Sequence, residues 1–113
     1  MSKFLIKRTP GPYETDTARI YLTSSVFCLV SSCDYEWLSR YKWRLDNTGY
    51  NLYAYRRYTV KSRTHTIKMH REIMNCPDDM ETHHTDLNGL NNCRSNLVNL
   101  SQVDHRLAHG KSR

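Results

Sequence analysis

The stretch Thr82-His-His-Thr-Asp-Leu-Asn-Gly-Leu-Asn-Asn-Cys-Arg-Ser-Asn-Leu-Val-Asn-Leu-Ser-Gln-Val-Asp-His105 changes character three times, and those changes decide how the chain folds. Thr82 to Thr85 is extended by propensity. Successive residues of a strand point to opposite faces, so His83 and His84 are set to different tasks. From Asp86 to Asn96, asparagine recurs at positions 88, 91, 92 and 96. Asparagine turns readily and bonds to nearby backbone, which predicts an ordered, self-bonded loop rather than a strand. Leu97 to Leu100 then returns as a short strand. Ser101 and Asp104 have the spacing of a capping box and Gly110 supplies a stop, so the pattern predicts a helix over about 102–109. On that helix His105 and His109 stand one turn apart, where both imidazoles can converge on one ion. Val103 and Leu107 form a separate stripe for the core. The predicted order is strand, long loop, strand, helix.

Two histidines at one end of this unit and two at the other suggest a metal site with a spare imidazole. If one of His83 and His84 joins His105 and His109 on a metal, the other is left to act as a base. Three nitrogen ligands with open coordination positions mark a catalytic rather than a structural metal. An imidazole, with its ordinary pKa close to neutrality, is the usual group for taking a proton from water.

Upstream, the chain reads as short strands. Ala18 to Thr23 and Val26 to Val30 are rich in β-branched and aromatic residues, with Ser24-Ser25 between them as a tight connection. Asp34 is placed to cap a short helix, in which Leu38 and Tyr41 follow Tyr35 at helical spacing. Asp46-Asn-Thr-Gly49 is dense in turn formers, and Tyr50 to Val60 alternates well enough for a strand. Thr64 to Lys68 is a third strand, Met69 to Asn75 a short helix ended by Pro77, and Cys76-Pro-Asp-Asp79 a loop. Along Tyr50-Asn-Leu-Tyr-Ala-Tyr-Arg-Arg-Tyr58 aromatics and cations interleave. With Lys61 and Arg63 beyond, Arg56 and Arg57 form a candidate face for a phosphate backbone. Arginines on a solvated sheet face are the equally weighted structural alternative.

The chain has 113 residues, with 17 Lys+Arg against 11 Asp+Glu, a formal charge of +6, and a pI near 9.3. That length builds one core rather than several, and the basic balance points to an anionic partner, of which nucleic acid is the commonest. The longest apolar run, Val26 to Val30, is too short to cross a bilayer. After Met1-Ser-Lys3 the apolar patch Phe4-Leu-Ile6 stops at Lys7-Arg8, which does not resemble an export signal, so a cytoplasmic protein without a membrane partner is expected. Cys28, Cys33, Cys76 and Cys93 are too few and irregular for a disulfide framework, and thiols are expected.

The elements Met69-His-Arg71, Glu81-Thr-His-His84, Asp86-Leu-Asn-Gly-Leu-Asn-Asn-Cys-Arg-Ser-Asn-Leu97 and Asp104-His105 resemble the HNH endonucleases, whose ββα-metal motif is named for its His, Asn and His. Ile20-Tyr-Leu-Thr23 and Asp34-Tyr-Glu-Trp-Leu38, with Trp43 downstream, are similar to the amino-terminal half of phage-type HNH homing endonucleases. The resemblance covers about 20–109. It implies an α+β fold: a small antiparallel β region with a short helix over 1–66, then a ββα-metal core over 67–110, in a single domain. It further implies hydrolysis of DNA phosphodiester bonds in a bacterial or phage-infected cell. His84 would be the general base and Asn96 the residue that holds loop and base in position.

Phage-type members usually have aspartate immediately before the base, whereas this chain has His83. A His-His pair with a later His-x-x-x-His resembles the nuclease colicins, a branch that also carries glutamate at the place of Glu81. On this basis His83, His105 and His109 are the implied ligands of one divalent metal: zinc, nickel, cobalt or manganese suits imidazoles, and magnesium suits the oxygen ligands of the phage branch. Arg71 or Arg94 is placed to add charge near the phosphate, although Arg94 reads better as a fold-supporting residue. Glu81 is placed to orient an arginine or a ligand. His70 is expected to support the fold or touch DNA, and His65 to lie on the surface. A single site nicks one strand, and a homodimer could cut both. The contrasting expectation is a DNA-binding module that cuts nothing, with structural zinc closed by Cys93 as fourth ligand.

Overall fold

A computed structural model describes residues 16–104. Strand β1 (Thr17–Tyr21) pairs antiparallel with β2 (Phe27–Ser31), with Ile20 opposite Cys28. The turn between them is tied by Thr23 Oγ1, which accepts the N–H groups of Ser25 and Val26. Helix α1 (Ser32–Leu38) follows directly. Its N-cap is Ser31 rather than Asp34. Asp34 sits inside the first turn, fully buried, where its carboxylate accepts from Trp37 Nε1 at 2.9 Å and from Arg94 Nε at 2.8 Å. A long-range ion partner outcompetes the local capping role.

β3 (Arg44–Asn47), β4 (Leu52–Val60) and β5 (Arg63–Lys68) form an antiparallel meander. The β4–β5 register runs from Tyr55 opposite Lys68 to Val60 opposite Arg63, leaving Lys61 and Ser62 as a two-residue tip. Both tip residues have positive φ, 51° and 67°. Such a turn matches the right-handed twist of the flanking strands. Because neither residue is glycine, the left-handed backbone costs about 1–2 kcal/mol apiece.

α2 (Met69–Ile73) leads to β6 (Met80–His84), which pairs antiparallel with β8 (Leu97–Ser101). The segment between them departs from the expected plain loop at one point: Asn91–Asn92 form a strand, β7, lying parallel to β2 with Val30 opposite Asn92. The last third of the chain thereby docks onto the first sheet. A short 3-10 turn, Arg94–Asn96, carries the chain into β8. The backbone turns helical at Gln102, with Ser101 Oγ accepting the Asp104 N–H at 3.1 Å, as the capping box predicts. The rest of that helix lies outside the described residues, and Val103 is largely exposed.

The result is an α+β fold, mostly sheet. Its core is built from Ile20, Cys28 and Val30 of the first sheet, Trp37 and Leu38 of α1, Trp43, Ala54 of β4, Met69 and Ile73 of α2, and Leu97 of β8. Each large aliphatic side chain buried there contributes about 1.5–3 kcal/mol. The four cysteines form no disulfide. No helix among the described residues is long and apolar enough to cross a membrane.

Candidate active site

The β6–β8 register sets His83 opposite Val98 and His84 opposite Leu97. Both histidines are buried. Alternation along β6 separates them: Thr82 and His84 line an open groove of about 1120 Å³ that Tyr53, Lys68, His70 and Arg71 also line, and His83 does not.

The His84 ring is held on three sides. Its Nε2 lies 2.8 Å from Asn92 Oδ1, the His70 ring meets it edge-on with centroids 4.5 Å apart, and the Tyr53 ring stands at 5.9 Å. Burial holds the His84 pKa below the ordinary imidazole value, while the Asn92 bond and the Asp86 charge oppose that shift. Burial also pushes His70 down, to about 3, reinforced by His84, Lys68 and Arg71. His70 Nδ1 is buried with no hydrogen-bond partner among the described residues. A neutral imidazole pair is the state this pocket accepts.

Asn96 closes the loop between the two strands. Its Nδ2 donates to Asp86 Oδ1 at 2.9 Å and to the Asn91 carbonyl at 2.8 Å, and its Oδ1 accepts the Asp86 N–H at 3.0 Å. Its own carbonyl accepts the Thr85 N–H at 2.8 Å, one residue beyond His84. Burial works to raise the Asp86 carboxyl, but the Asn91 and Asn96 amides, the Asn88 N–H and the His84 charge together hold it below its usual value. The loop also presses on β4. A side chain at Gly89 would run into the Leu52 carbonyl and the Tyr53 ring, so only glycine lets the loop approach the wall of the groove.

The arginines divide into two groups. Arg56 is not available as a phosphate ligand: it makes a bidentate pair with Glu72, at 2.9 and 2.8 Å, and its guanidinium stacks 3.9 Å over Tyr41. That pairing raises its pKa further. Arg71 is likewise engaged. It donates to the carbonyls of Met80 and Pro77 and stands 3.5 Å from Glu81, tethering the loop that enters β6, although it still lines the groove. Glu81 faces that guanidinium as a half-exposed ion-pair partner. Arg94 supports the fold, the role favoured for it, through Asp34. Arg57, Lys61 and Arg63 are exposed along the β4–β5 hairpin; the register sets Arg63 on the face of an exposed Tyr58–His65 stack, with centroids 5.2 Å apart, and Arg57 on the other face.

Of the three implied metal ligands, His83 alone is described; His105 and His109 lie outside the described residues. Among the described residues no three His, Cys, Asp or Glu side chains cluster as a metal site. His83 nevertheless offers the donor chemistry expected of it, an imidazole on the opposite face of β6 from His84 and on the strand pair that leads into the helical turn at Gln102. Cys93 lies close enough to the core thiol Cys28 for its charge to help raise that thiol to about 12, a shift that burial dominates.

Two residues beside His84 escape sequence reasoning. His70 is visible there only as part of Met69-His-Arg71, and nothing in its spacing ties it to a position so far along the chain. Asn92 is one of several loop asparagines, indistinguishable until β7 places it in the core. No family model, curated protein or solved structure matches the chain.

Proposed function

We propose that the protein is a metal-dependent HNH endonuclease that hydrolyses DNA phosphodiester bonds, with His84 as its general base. The observation that carries this reading is the setting of His84. It is a neutral imidazole at the end of β6 lining an open groove that Lys68, Arg71, Glu72, Asp78 and Glu81 also line, directly before a loop that Asn96 clamps shut, in a strand–loop–strand unit followed by a helical turn. The HNH motif needs His84 and Asn96 at the two ends of that loop, and the Thr85–Asn96 backbone bond joins those ends.

In this reading His84 takes a proton from water, the water oxygen forms a bond to phosphorus, and the bond from phosphorus to the departing oxygen breaks. His83, with His105 and His109, would hold the divalent ion, which when bound supplies positive charge to the phosphate and the departing oxygen. Asn96 fixes the loop and through it the strand that carries His84. Arg57, Lys61 and Arg63 hold the DNA backbone; Arg56 is withdrawn from that set by Glu72.

Supercoiled plasmid incubated with the purified protein across magnesium, manganese, cobalt, nickel and zinc tests the proposal. Nicked or linear product is expected with at least one metal and not with chelator. No product with any metal, together with unfolding on chelation, would make the protein a zinc-stabilised binding module instead.

A further inference from the structure

Asn92 has no exposed surface, and its side-chain amide is engaged on both sides. Oδ1 faces His84 Nε2 at 2.8 Å, and Nδ2 lies 3.3 Å from Met69 Sδ. The orientation of the amide is chemically determined. Met69 sulfur is a weak acceptor, so it takes the NH2 end; reversing the amide would set an oxygen lone pair against sulfur lone pairs. The backbone of Asn92 is fixed as well, since β7 is paired to β2 there. With Oδ1 as an acceptor that cannot turn away, the His84 nitrogen facing it carries a hydrogen. The neutral ring has only one N–H, so Nδ1 keeps its lone pair. No hydrogen bond reaches Nδ1 from the described residues, and His84 lines the groove.

We propose that Asn92 is a positioning residue that selects the Nε2–H tautomer of His84 and so makes Nδ1 the atom that takes the proton. This rests on the reading of His84 as the base, and it divides the two asparagines: Asn96 clamps the loop, while Asn92 orients the ring. In the step, an O–H bond of water breaks and its proton passes to Nδ1, Nε2 retains its hydrogen against Asn92, the water oxygen bonds to phosphorus, and the departing oxygen leaves with the electron pair of its bond. The charge created on the imidazolium is met by the Asn92 carbonyl dipole already in place, the role of an orienting group behind a base or a metal-bound imidazole.

The test is two-bond proton–nitrogen correlation NMR on the nitrogen-15-labelled full chain with the imidazole neutral, the His84 signals being those that vanish in His84→Ala. The expected result is the Nε2–H pattern in the parent, a mixed or Nδ1–H pattern in Asn92→Leu, and retention of Nε2–H in Asn92→Asp, which keeps an acceptor at the same atom. In plasmid cleavage, Asn92→Leu should lose about 10²-fold in kcat with KM for DNA unchanged, and Asn92→Asp should cut faster than Asn92→Leu. An Nδ1–H pattern in the parent, or an unchanged tautomer and kcat in a folded Asn92→Leu, would overturn the proposal. Should Asn92→Leu not fold, the parent spectrum and Asn92→Asp decide by the same criteria. A parent that shows Nε2–H yet cuts nothing overturns the nuclease reading, and the positioning role with it, while leaving the bond standing.

Discussion

A buried histidine beside a second buried histidine gives the groove its pH behaviour. In an unfolded chain His70 titrates near 6.5, but in the fold burial and its cationic neighbours bring it to about 3. Between those values the unfolded chain binds a proton that the folded chain refuses, so stability falls as pH drops from 6.5 toward 3 and is unaffected by this group above 6.5. Each pH unit within the window costs the fold about 1.4 kcal/mol from this group. Urea midpoints of the parent and of His70→Gln at pH 7, 6, 5 and 4 should diverge, the parent losing stability faster; parallel curves would show that His70 does not resist protonation. The same residue marks a limit of sequence reading. His83 and His84 were legible because adjacency on a strand assigns them to opposite faces by geometry alone. The His70–His84 contact was not, because it depends on how α2 packs against β6, which no local pattern encodes.

At the scale of elements, the β4–β5 hairpin carries the DNA-binding expectation in corrected form. Alternating aromatics and cations announced the strand, and the Ser101 capping box announced the helix start, since both are set by neighbours within a few residues. Which cations remain open to a ligand was set by tertiary pairing: Arg56 meets Glu72 sixteen positions away, and only folding brings them together. Arg57, Lys61 and Arg63 are the ones left on the surface. Replacing each by alanine should weaken DNA binding nearly equally for all sequences and reduce the slope of log affinity against log salt by about 1 for each phosphate no longer neutralised. Arg56→Ala should instead lower the unfolding midpoint and leave the salt slope almost unchanged. Anisotropy titrations of labelled duplex at several salt concentrations separate the two cases, and an equal fall in slope in Arg56→Ala would return that residue to the binding surface.

Over the whole molecule, the two halves of the chain share one core, and a buried ion pair and a short parallel strand tie the loop before β8 to the first sheet and α1. Asp34 on α1 and Arg94 beyond β7 meet through two hydrogen bonds of 2.8 and 3.0 Å, and the backbone of Leu29 reaches Leu90 at 2.8 Å. The candidate site is thereby mounted on the amino-terminal sheet rather than hung beside it. Removing the arginine would leave a fully buried carboxylate without its charge partner, so Arg94→Met should destabilise the fold by about 3–5 kcal/mol, read as a shift in the urea midpoint. A shift below about 1 kcal/mol would mean that the pair is dispensable to the joint. The short strands and the strand–loop–strand order were readable from propensity and turn chemistry, and the α+β class followed from the resemblance. The joint was not, because parallel pairing through only Asn91–Asn92 leaves no periodic trace.

Everything proposed for the groove turns on His84 as the base of a metal-dependent nuclease. That role is read most directly from the single-turnover rate of plasmid cleavage by the parent and by His84→Ala, in the metal that best supports the parent. Metal affinity and folding of the variant are measured alongside. The expected rate is about 10²–10⁴-fold lower in His84→Ala with metal affinity and fold retained. Equal rates in parent and variant, or no cleavage by the parent in any metal, would contradict the assignment.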